Sequence, residues 1–201
     1  MPSQTPLENL AAGFASLGRL HRDPPSQHVL DAVRELLDDW PLPDTEAAAR
    51  GIDSWRRSAA AAEDAELVRT DHDRLYGAAA EALVAPYESV HRGADGLVFD
   101  RYTLDVRQAY ARLGLVAPAL NREPDDHIGL EFDFVAQALL QLLETGDAAI
   151  AETVRAFLHD HLLVWAPDLL SAVEQRADTD FMRGLAQLSQ GALQSARASF
   201  D

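Results

Sequence analysis

Apolar residues recur every three or four positions along almost the whole chain, and this spacing is what most limits the folds open to it. At the start of the chain the pattern is carried by Leu7, Leu10, Phe14, Leu17 and Leu20. Such a stripe indicates an amphipathic helix, whereas a half-buried strand needs alternation with a period of two. No stretch sustains that alternation, and β-branched runs are few. The sequence therefore predicts an all-α fold of about eight to ten helices.

Prolines, glycines and polar residues divide these stripes into separate helices. The predicted helices carry apolar stripes at Leu7–Leu20, Val29–Leu37, Ile52–Trp55, Leu67–Leu75, Tyr102–Leu113, Ile128–Leu142, Ile150–Leu158 and Phe181–Ala192, with a short helical stretch at 168–176. Asp44 is the expected N-cap of the third helix, Ala78 and Ala79 extend the fourth, and Gly146 ends the sixth. Residues 85–101 contain one proline and two glycines and are predicted to form a long connection.

The length of the chain predicts a single domain. A chain of 201 residues is long enough to bury a core of its own, and we expect residues 1–201 to form one domain. The strongest break in the helical pattern lies near 117–124, where Pro118 and Pro124 stand close together. This segment is the expected boundary if the domain has two lobes.

The chain is strongly acidic, and its charge limits the classes of partner. Its formal net charge is −16, with 33 acidic residues against 17 basic ones, all of which are arginine. Nucleic acid and anionic membranes are therefore poor partners, and a basic ligand is a better one. The absence of lysine fits either a GC-rich genome or a salt-loving host whose proteins keep acidic surfaces, and both explanations stay open.

Cysteine is absent, and the sequence shows no targeting or membrane segment. A chain without cysteine has no disulfide framework and no thiolate metal site. The N-terminus lacks a basic region followed by an apolar one, so no signal peptide is predicted. No apolar run approaches the roughly 20 residues needed to span a bilayer. These features predict a cytoplasmic protein without stable membrane insertion.

The stretch E-P-D-D-H-I-G-L-E-F-D-F begins with Glu123–His127, here called the EPDDH segment, which holds four ionisable side chains. Pro124 fits the first turn of a helix, where its missing N–H costs nothing. Carboxylates beside it oppose the positive end of the helix dipole. Taken alone, the segment predicts a helix start with Asp125 and Asp126 as capping or solvated carboxylates. His127 is then a packed histidine bonded to neighbouring backbone.

Two further blocks stand on either side of this segment. Upstream, D-H-D-R-L-Y at Asp71–Tyr76 runs on to A-P-Y-E-S-V at 85–90. Downstream, F-L-H-D-H-L-L-V-W-A-P begins at Phe157, and F-M-R-G-L-A-Q-L begins at Phe181. The three blocks, within roughly residues 65–190, resemble those of the TorD/DmsD/NarJ family, whose E-P-x-D-H motif matches the EPDDH segment. One departure is His72, which stands where the family usually has an aromatic residue.

The resemblance implies a fold and a function class that composition alone does not. It implies a single all-helical domain of TorD type, and a chaperone rather than an enzyme. Such chaperones bind the N-terminal leader, often a twin-arginine leader, of a molybdopterin-containing reductase subunit. They hold the apo form until its cofactor is in place, before export. The resemblance implies no cofactor for the chaperone itself, and either a monomer or a homodimer.

A leader with two arginines needs carboxylates for its guanidinium groups and apolar walls for the segment that follows them. Three carboxylates and one histidine of the EPDDH segment are candidate acceptors, and four large side chains of the flanking blocks are candidate walls. The candidate peptide-binding residues are Glu123, Asp125, Asp126, His127, Leu75, Tyr76, Tyr87 and Trp165. Packing in the core is the alternative role for Leu75, Tyr76 and Trp165.

A second function class stays open, namely an all-α metal-dependent phosphohydrolase of the HD type. His72, Asp73 and His127 are the side chains that such an enzyme could recruit as ligands. No ordered set of ligands stands out, and we expect no metal site. His159 and His161 also resemble a metal cluster, but residues two apart on a helix point in different directions.

Overall fold

Helices make up nearly all the regular structure in the residues that the computed structural model describes, which are 6–42, 45–77, 82–118, 120 and 122–201. Its ten α-helices are α1 (Pro6–Arg22), α2 (Gln27–Glu35), α3 (Glu46–Ala60), α4 (Ala65–Tyr76), α5 (Glu88–Arg92), α6 (Arg101–Arg112), α7 (Ile128–Thr145), α8 (Ala148–Phe157), α9 (Leu163–Arg176) and α10 (Asp180–Phe200). A π-helical turn at Leu158–Leu162 joins α8 to α9 without a break. Within the described residues, the only β feature is an isolated antiparallel bridge between Tyr87 and His127. The prediction of an all-α domain is confirmed.

Side-chain caps and one glycine set several of the helix ends. The side chains of Ser26, Thr45 and Asp64 accept main-chain N–H groups of the first turns of α2, α3 and α4. These caps satisfy donors that have no partner within the helix itself. Gly146 ends α7 in the left-handed conformation, with φ of 64°, as predicted. Asp44, the predicted cap of α3, lies outside the described residues, and the observed cap is Thr45.

Three parts of the chain differ from the sequence predictions. The connection predicted at 85–101 contains the short helix α5. The stretch predicted at 168–176 is the end of a longer helix, because α9 continues through Pro167 from the π-helical turn. Leu67, predicted on an apolar face, is 49% exposed. The predicted extension of α4 at 78–79 lies outside the described residues.

At two helix crossings, the main chain of one helix lies in direct contact with the neighbouring helix. Where α1 crosses α7, a Cβ atom built on Gly129 would lie 2.5 Å from the carbonyl oxygen of Gly18. Where α3 crosses α10, a Cβ atom built on Gly184 would lie 2.4 Å from Cδ1 of Trp55. Non-bonded atoms in packed proteins do not approach so closely, so both crossings favour glycine.

One hydrophobic core contains side chains from both halves of the chain. Its fully buried large members include Phe14, Leu17, Leu75, Phe132, Phe134, Leu139 and Leu158. The segment at 117–124 connects α6 to α7, and its role as a lobe boundary stays a prediction. Among the described residues, no helix combines the length and apolar character that a bilayer crossing requires.

Candidate functional site

The EPDDH segment is held in a fixed register against the residues that precede α5. The main-chain N–H of Ile128 donates to the carbonyl of Pro86 at 2.8 Å, and a second bond of 3.0 Å runs from the start of α5 back to the segment. These two bonds flank the bridge between Tyr87 and His127. The two rings of that bridge meet edge to face, with centroids 5.2 Å apart. The segment therefore joins the start of α5 to the start of α7.

Asp125 and Asp126 are buried, and both have internal partners. Asp125 is 1% exposed, and its carboxylate accepts from Nε and Nη2 of Arg107 at 2.6 and 3.3 Å. Asp126 is fully buried and accepts from the N–H of Ser89 at 2.7 Å and from the hydroxyl of Thr103 at 2.6 Å. These bonds tie α5 and α6 to the segment. A leader could bind these two carboxylates directly only by replacing hydrogen bonds that they already accept within the chain. Their direct contact with a leader stays a prediction.

His127 is the N-cap of α7. Its Nδ1 accepts the N–H of Gly129 at 3.0 Å, so the neutral ring carries its proton on Nε2. Burial, with smaller contributions from the charge of Arg22 and from His72, lowers the pKa of His127 to about 3. The predicted bond to neighbouring backbone is present, and the ring is a neutral donor at physiological pH.

A cavity of about 240 Å³ opens beside His127, where the ends of α1 and α4 meet the start of α7. Four predicted site residues line this His127 cavity: Tyr76, Tyr87, Glu123 and His127. The other lining residues are Arg22, Asp23, His72, Asp73, Gly77, Pro86 and Leu130. Three carboxylates against one guanidinium give the lining a net charge of −2 when its histidines are neutral.

The wall of the cavity formed by α4 is rigid because its side chains are bonded to the core. The hydroxyl of Tyr76 lies 2.7 Å from Nδ1 of His21, whose Nε2 lies 2.8 Å from the hydroxyl of Ser189. His72 meets the ring of Tyr76 edge to face, with ring centroids 5.1 Å apart, so it makes an aromatic contact at this position. Leu75 is fully buried and does not line the cavity.

Trp165 also lies in the interior, away from the His127 cavity. It is 2% exposed, and its indole N–H donates to Glu131 at 3.2 Å. Glu131 is itself fully buried, and burial raises its pKa well above the usual range, with a further contribution from Glu88. The indole N–H of Trp165 is therefore already bonded to a buried carboxyl group of its own chain.

Arg22 and Asp23, at the end of α1, also line the cavity but were not among the predicted site residues. A signal was present, since the two polar residues close the first helix just before two prolines. Their distance from His127 is set by the α1–α7 crossing at Gly18, which is a tertiary contact that spacing does not reveal.

The proposed ligands of a phosphohydrolase are only partly brought together. His72, Asp73 and His127 all line the His127 cavity. Across the described ranges, however, no group of three or more His, Asp or Glu side chains is placed to hold a metal ion. His159 and His161 pair with different carboxylates, in agreement with the prediction that they point apart.

Residues 21–171 match the protein family described as the nitrate reductase delta subunit. The chain belongs to this family. The match confirms the resemblance to the TorD/DmsD/NarJ chaperones. The match begins at the last two residues of α1 and ends in α9, so it includes every residue that lines the His127 cavity.

Curated relatives of this family member carry the name chaperone protein TorD. That of Photobacterium profundum is 30% identical over 124 residues, which are 59% of this chain and 57% of that protein. That of Vibrio atlanticus is 31% identical over 110 residues, 52% and 51% of the two chains. That of Aeromonas salmonicida is 33% identical over 92 residues, which are 44% of this chain and 40% of that protein. The chain spans about half the length of the curated relatives it matches. A phosphohydrolase is therefore not favoured.

Proposed function

We propose that this chain is a maturation chaperone for a molybdopterin-containing reductase, and that its His127 cavity receives arginine side chains of the client's leader. The proposal extends to this chain the name of its relatives. The chaperone catalyses no reaction, and its binding holds the apo subunit until the cofactor is inserted. It acts in the cytoplasm before export, as a monomer or a homodimer.

The observation that carries the proposal is the charge and exposure of the cavity lining. Glu123 and Asp23 are exposed, and neither side-chain carboxylate has a hydrogen-bond or ion-pair partner within the described part of the chain. Asp73 is also exposed and lies 3.6 Å from Nδ1 of His72. A guanidinium presents five N–H donors in a planar fork that carboxylates accept in pairs. The cavity thus offers open acceptors of the kind an arginine needs.

The volume of the cavity limits which part of a leader enters it. One turn of α-helix, about 10 Å across and about 5.4 Å long, fills about 400 Å³. The cavity holds about 240 Å³, so we expect extended side chains rather than a helical segment to enter it. The rings of Tyr76 and Tyr87 on its wall can stabilise a guanidinium by cation–π contact. The apolar part of the leader then lies outside the cavity.

Direct contacts between arginine and carboxylate groups are enough to explain micromolar binding of a leader, without long-range attraction. Charges are screened beyond about 8 Å at physiological salt and beyond about 3 Å at molar salt. Hydrogen bonds to charged groups contribute about 1.5–3 kcal/mol each. A dissociation constant of about 1 μM corresponds to about 8 kcal/mol. Two arginine–carboxylate contacts with modest apolar burial therefore suffice in either kind of host.

The test is calorimetric titration with a synthetic peptide that has two adjacent arginines followed by an apolar segment. We expect the unsubstituted protein to bind this peptide. Glu123→Gln should weaken binding about tenfold or more, because a neutral amide cannot form the paired, charge-assisted hydrogen bonds that a carboxylate forms with a guanidinium. Glu144→Gln is the matched control, since it removes the same charge from an exposed residue. Glu144 lies about 24 Å along α7 from Ile128, given a rise of about 1.5 Å per residue.

A second peptide, with both arginines replaced by lysine, separates charge from geometry. Lysine cannot bind a carboxylate through two parallel bonds, so we expect weaker binding at equal charge. The proposal is wrong if the arginine peptide does not bind, or if Glu123→Gln and Glu144→Gln weaken binding equally. Equal affinity for the two peptides would indicate an acidic adaptor that does not recognise arginine.

A further inference from the structure

A second cavity, of about 420 Å³, is formed by the helices to which Asp125 and Asp126 are bonded. It lies between α5, α6, α8 and the π-helical turn, and we call it the arginine cavity. Three guanidinium groups line it, those of Arg92, Arg101 and Arg112. Its volume falls within the range of about 300–1,000 Å³ that small-molecule sites occupy.

Two of the guanidinium groups are held against one aromatic ring. The Cζ atoms of Arg92 and Arg101 lie 4.4 and 4.5 Å from the ring centroid of Tyr102. Nη2 of Arg101 also donates to the hydroxyl of Tyr102 at 2.6 Å. These contacts restrict the rotamers of both side chains before any ligand arrives. Less conformational entropy is therefore lost when they bind one.

Hydrogen-bond donors remain open on these arginines. Arg92 uses Nη1 for Glu88 and for the carbonyl of Asp160, while its Nε and Nη2 have no partner within the described residues. Arg112 is exposed, and over the same part of the chain its side chain has neither a hydrogen bond nor an ion pair. The cavity thus contains three positive groups, two of them held against Tyr102, whose N–H donors are not all satisfied within the described residues.

The π-helical turn at Leu158–Leu162 builds one wall of this cavity. It places Nδ1 of His161 2.7 Å from the buried carboxylate of Glu88, and it presents the carbonyl of Asp160 to Arg92 at 2.7 Å. The ring of Phe157 stacks on that of His161 and supplies an apolar part of the lining. Single π turns are rare within α-helices and occur frequently at functional sites.

The cavity is less acidic than the chain as a whole. Three guanidinium groups face the carboxylates of Asp105 and Asp160, and the buried carboxylate of Glu88 pairs with Arg92. With histidines counted as neutral, these charges balance, in a chain of net charge −16. Distant carboxylates are screened beyond about 8 Å at physiological salt, while groups in contact are not. An anion inside the cavity therefore interacts mainly with the arginines.

We propose that the arginine cavity binds a small oxyanion ligand, bearing phosphate or carboxylate groups, through Arg101, Arg112 and the open donors of Arg92. A guanidinium fork matches both kinds of group, because each presents two oxygens in one plane. This site is separate from the His127 cavity, with which it shares no lining residue. Binding here does not depend on leader recognition.

The test is calorimetric titration with pyrophosphate and, separately, with citrate at low ionic strength. We expect at least one of the two to bind, and the double variant Arg101→Gln/Arg112→Gln to weaken it about tenfold or more. Both substituted side chains are exposed, so the fold should persist, as circular dichroism will show. The double variant Arg19→Gln/Arg50→Gln is the control, because it has the same net charge and both its arginines lie outside this cavity.

Two results would overturn the proposal. The first is that neither pyrophosphate nor citrate binds, and the second is that the control variant loses as much affinity as the test variant. In the first case, sedimentation with vesicles containing phosphatidylglycerol shows whether the arginines bind a lipid surface instead. Arg112→Lys gives an independent check, since it keeps the charge and should retain more affinity than Arg112→Gln.

Discussion

Replacing Asp126 by alanine should destabilise the fold rather than remove a ligand contact. Asp126 is fully buried and accepts two hydrogen bonds, from the N–H of Ser89 at 2.7 Å and the hydroxyl of Thr103 at 2.6 Å. Leaving a buried donor unsatisfied costs about 1–3 kcal/mol. The Thr103 hydroxyl can rotate to another partner, so its cost lies at the lower end. We expect Asp126→Ala to lower the free energy of unfolding by about 3 kcal/mol.

Asp126→Asn is the matched substitution, because it keeps the shape of the side chain. The amide oxygen can still accept from Ser89, and the amide nitrogen can donate to a reoriented Thr103 hydroxyl. We therefore expect Asp126→Asn to cost about 1 kcal/mol, chiefly the loss of negative charge at the start of α5. Urea unfolding followed by circular dichroism measures both. With a slope of about 3 kcal/mol per molar urea, the midpoint should fall by about 1 M for alanine and about 0.3 M for asparagine.

One combination of results would refute this reasoning. If Asp126→Ala unfolds at the same urea concentration as the unsubstituted protein and yet no longer binds the arginine peptide, Asp126 is a direct contact. Equal destabilisation by alanine and asparagine would instead show that the charge, and not the two accepted bonds, is what stabilises α5 and α6.

Two further predictions concern the histidine and a helix crossing. Because the pKa of His127 is about 3 in the folded chain and near 6.5 when unfolded, protonation favours the unfolded state. The stability of the protein should therefore decrease as pH falls from about 6.5 to about 3. The variant His127→Asn keeps an acceptor for the N–H of Gly129 but does not titrate in this range, so it should reduce the pH dependence. Urea unfolding at several pH values measures both effects. Gly184→Ala should lower the free energy of unfolding by about 1–3 kcal/mol, because its Cβ would lie 2.4 Å from Cδ1 of Trp55. An unchanged melting temperature would contradict the close packing of α3 on α10.

The helices were predictable because their signals are local. The stripe from Leu7 to Leu20 and the glycine at 146 lie within single elements, and spacing alone locates them. The short helix α5 was missed because five residues are too few to show a period. The continuity of α9 through Pro167 was missed because proline usually ends a helix, and nothing in the spacing signals the π-helical turn before it.

The site was only partly predictable, since the direction of a side chain depends on partners distant in sequence. Within the EPDDH segment, Glu123 is exposed to the cavity while Asp126 is buried against α5 and α6. The residues that bury Asp126, Ser89 and Thr103, are 37 and 23 positions away. Adjacent acidic residues look alike in a sequence, and only the tertiary contacts distinguish a structural carboxylate from an open one.

The contact between Gly18 and Gly129 has a consequence for how binding specificity can change. At this point two main chains touch, with no side chain between them to be enlarged or trimmed. The separation of Arg22 and Asp23 from His127 is therefore fixed by the backbone. Exchanges among the lining residues can alter the charge and aromatic character of the His127 cavity while its width stays constant. A methyl group at either glycine would instead shift the dimensions of the cavity for every ligand at once.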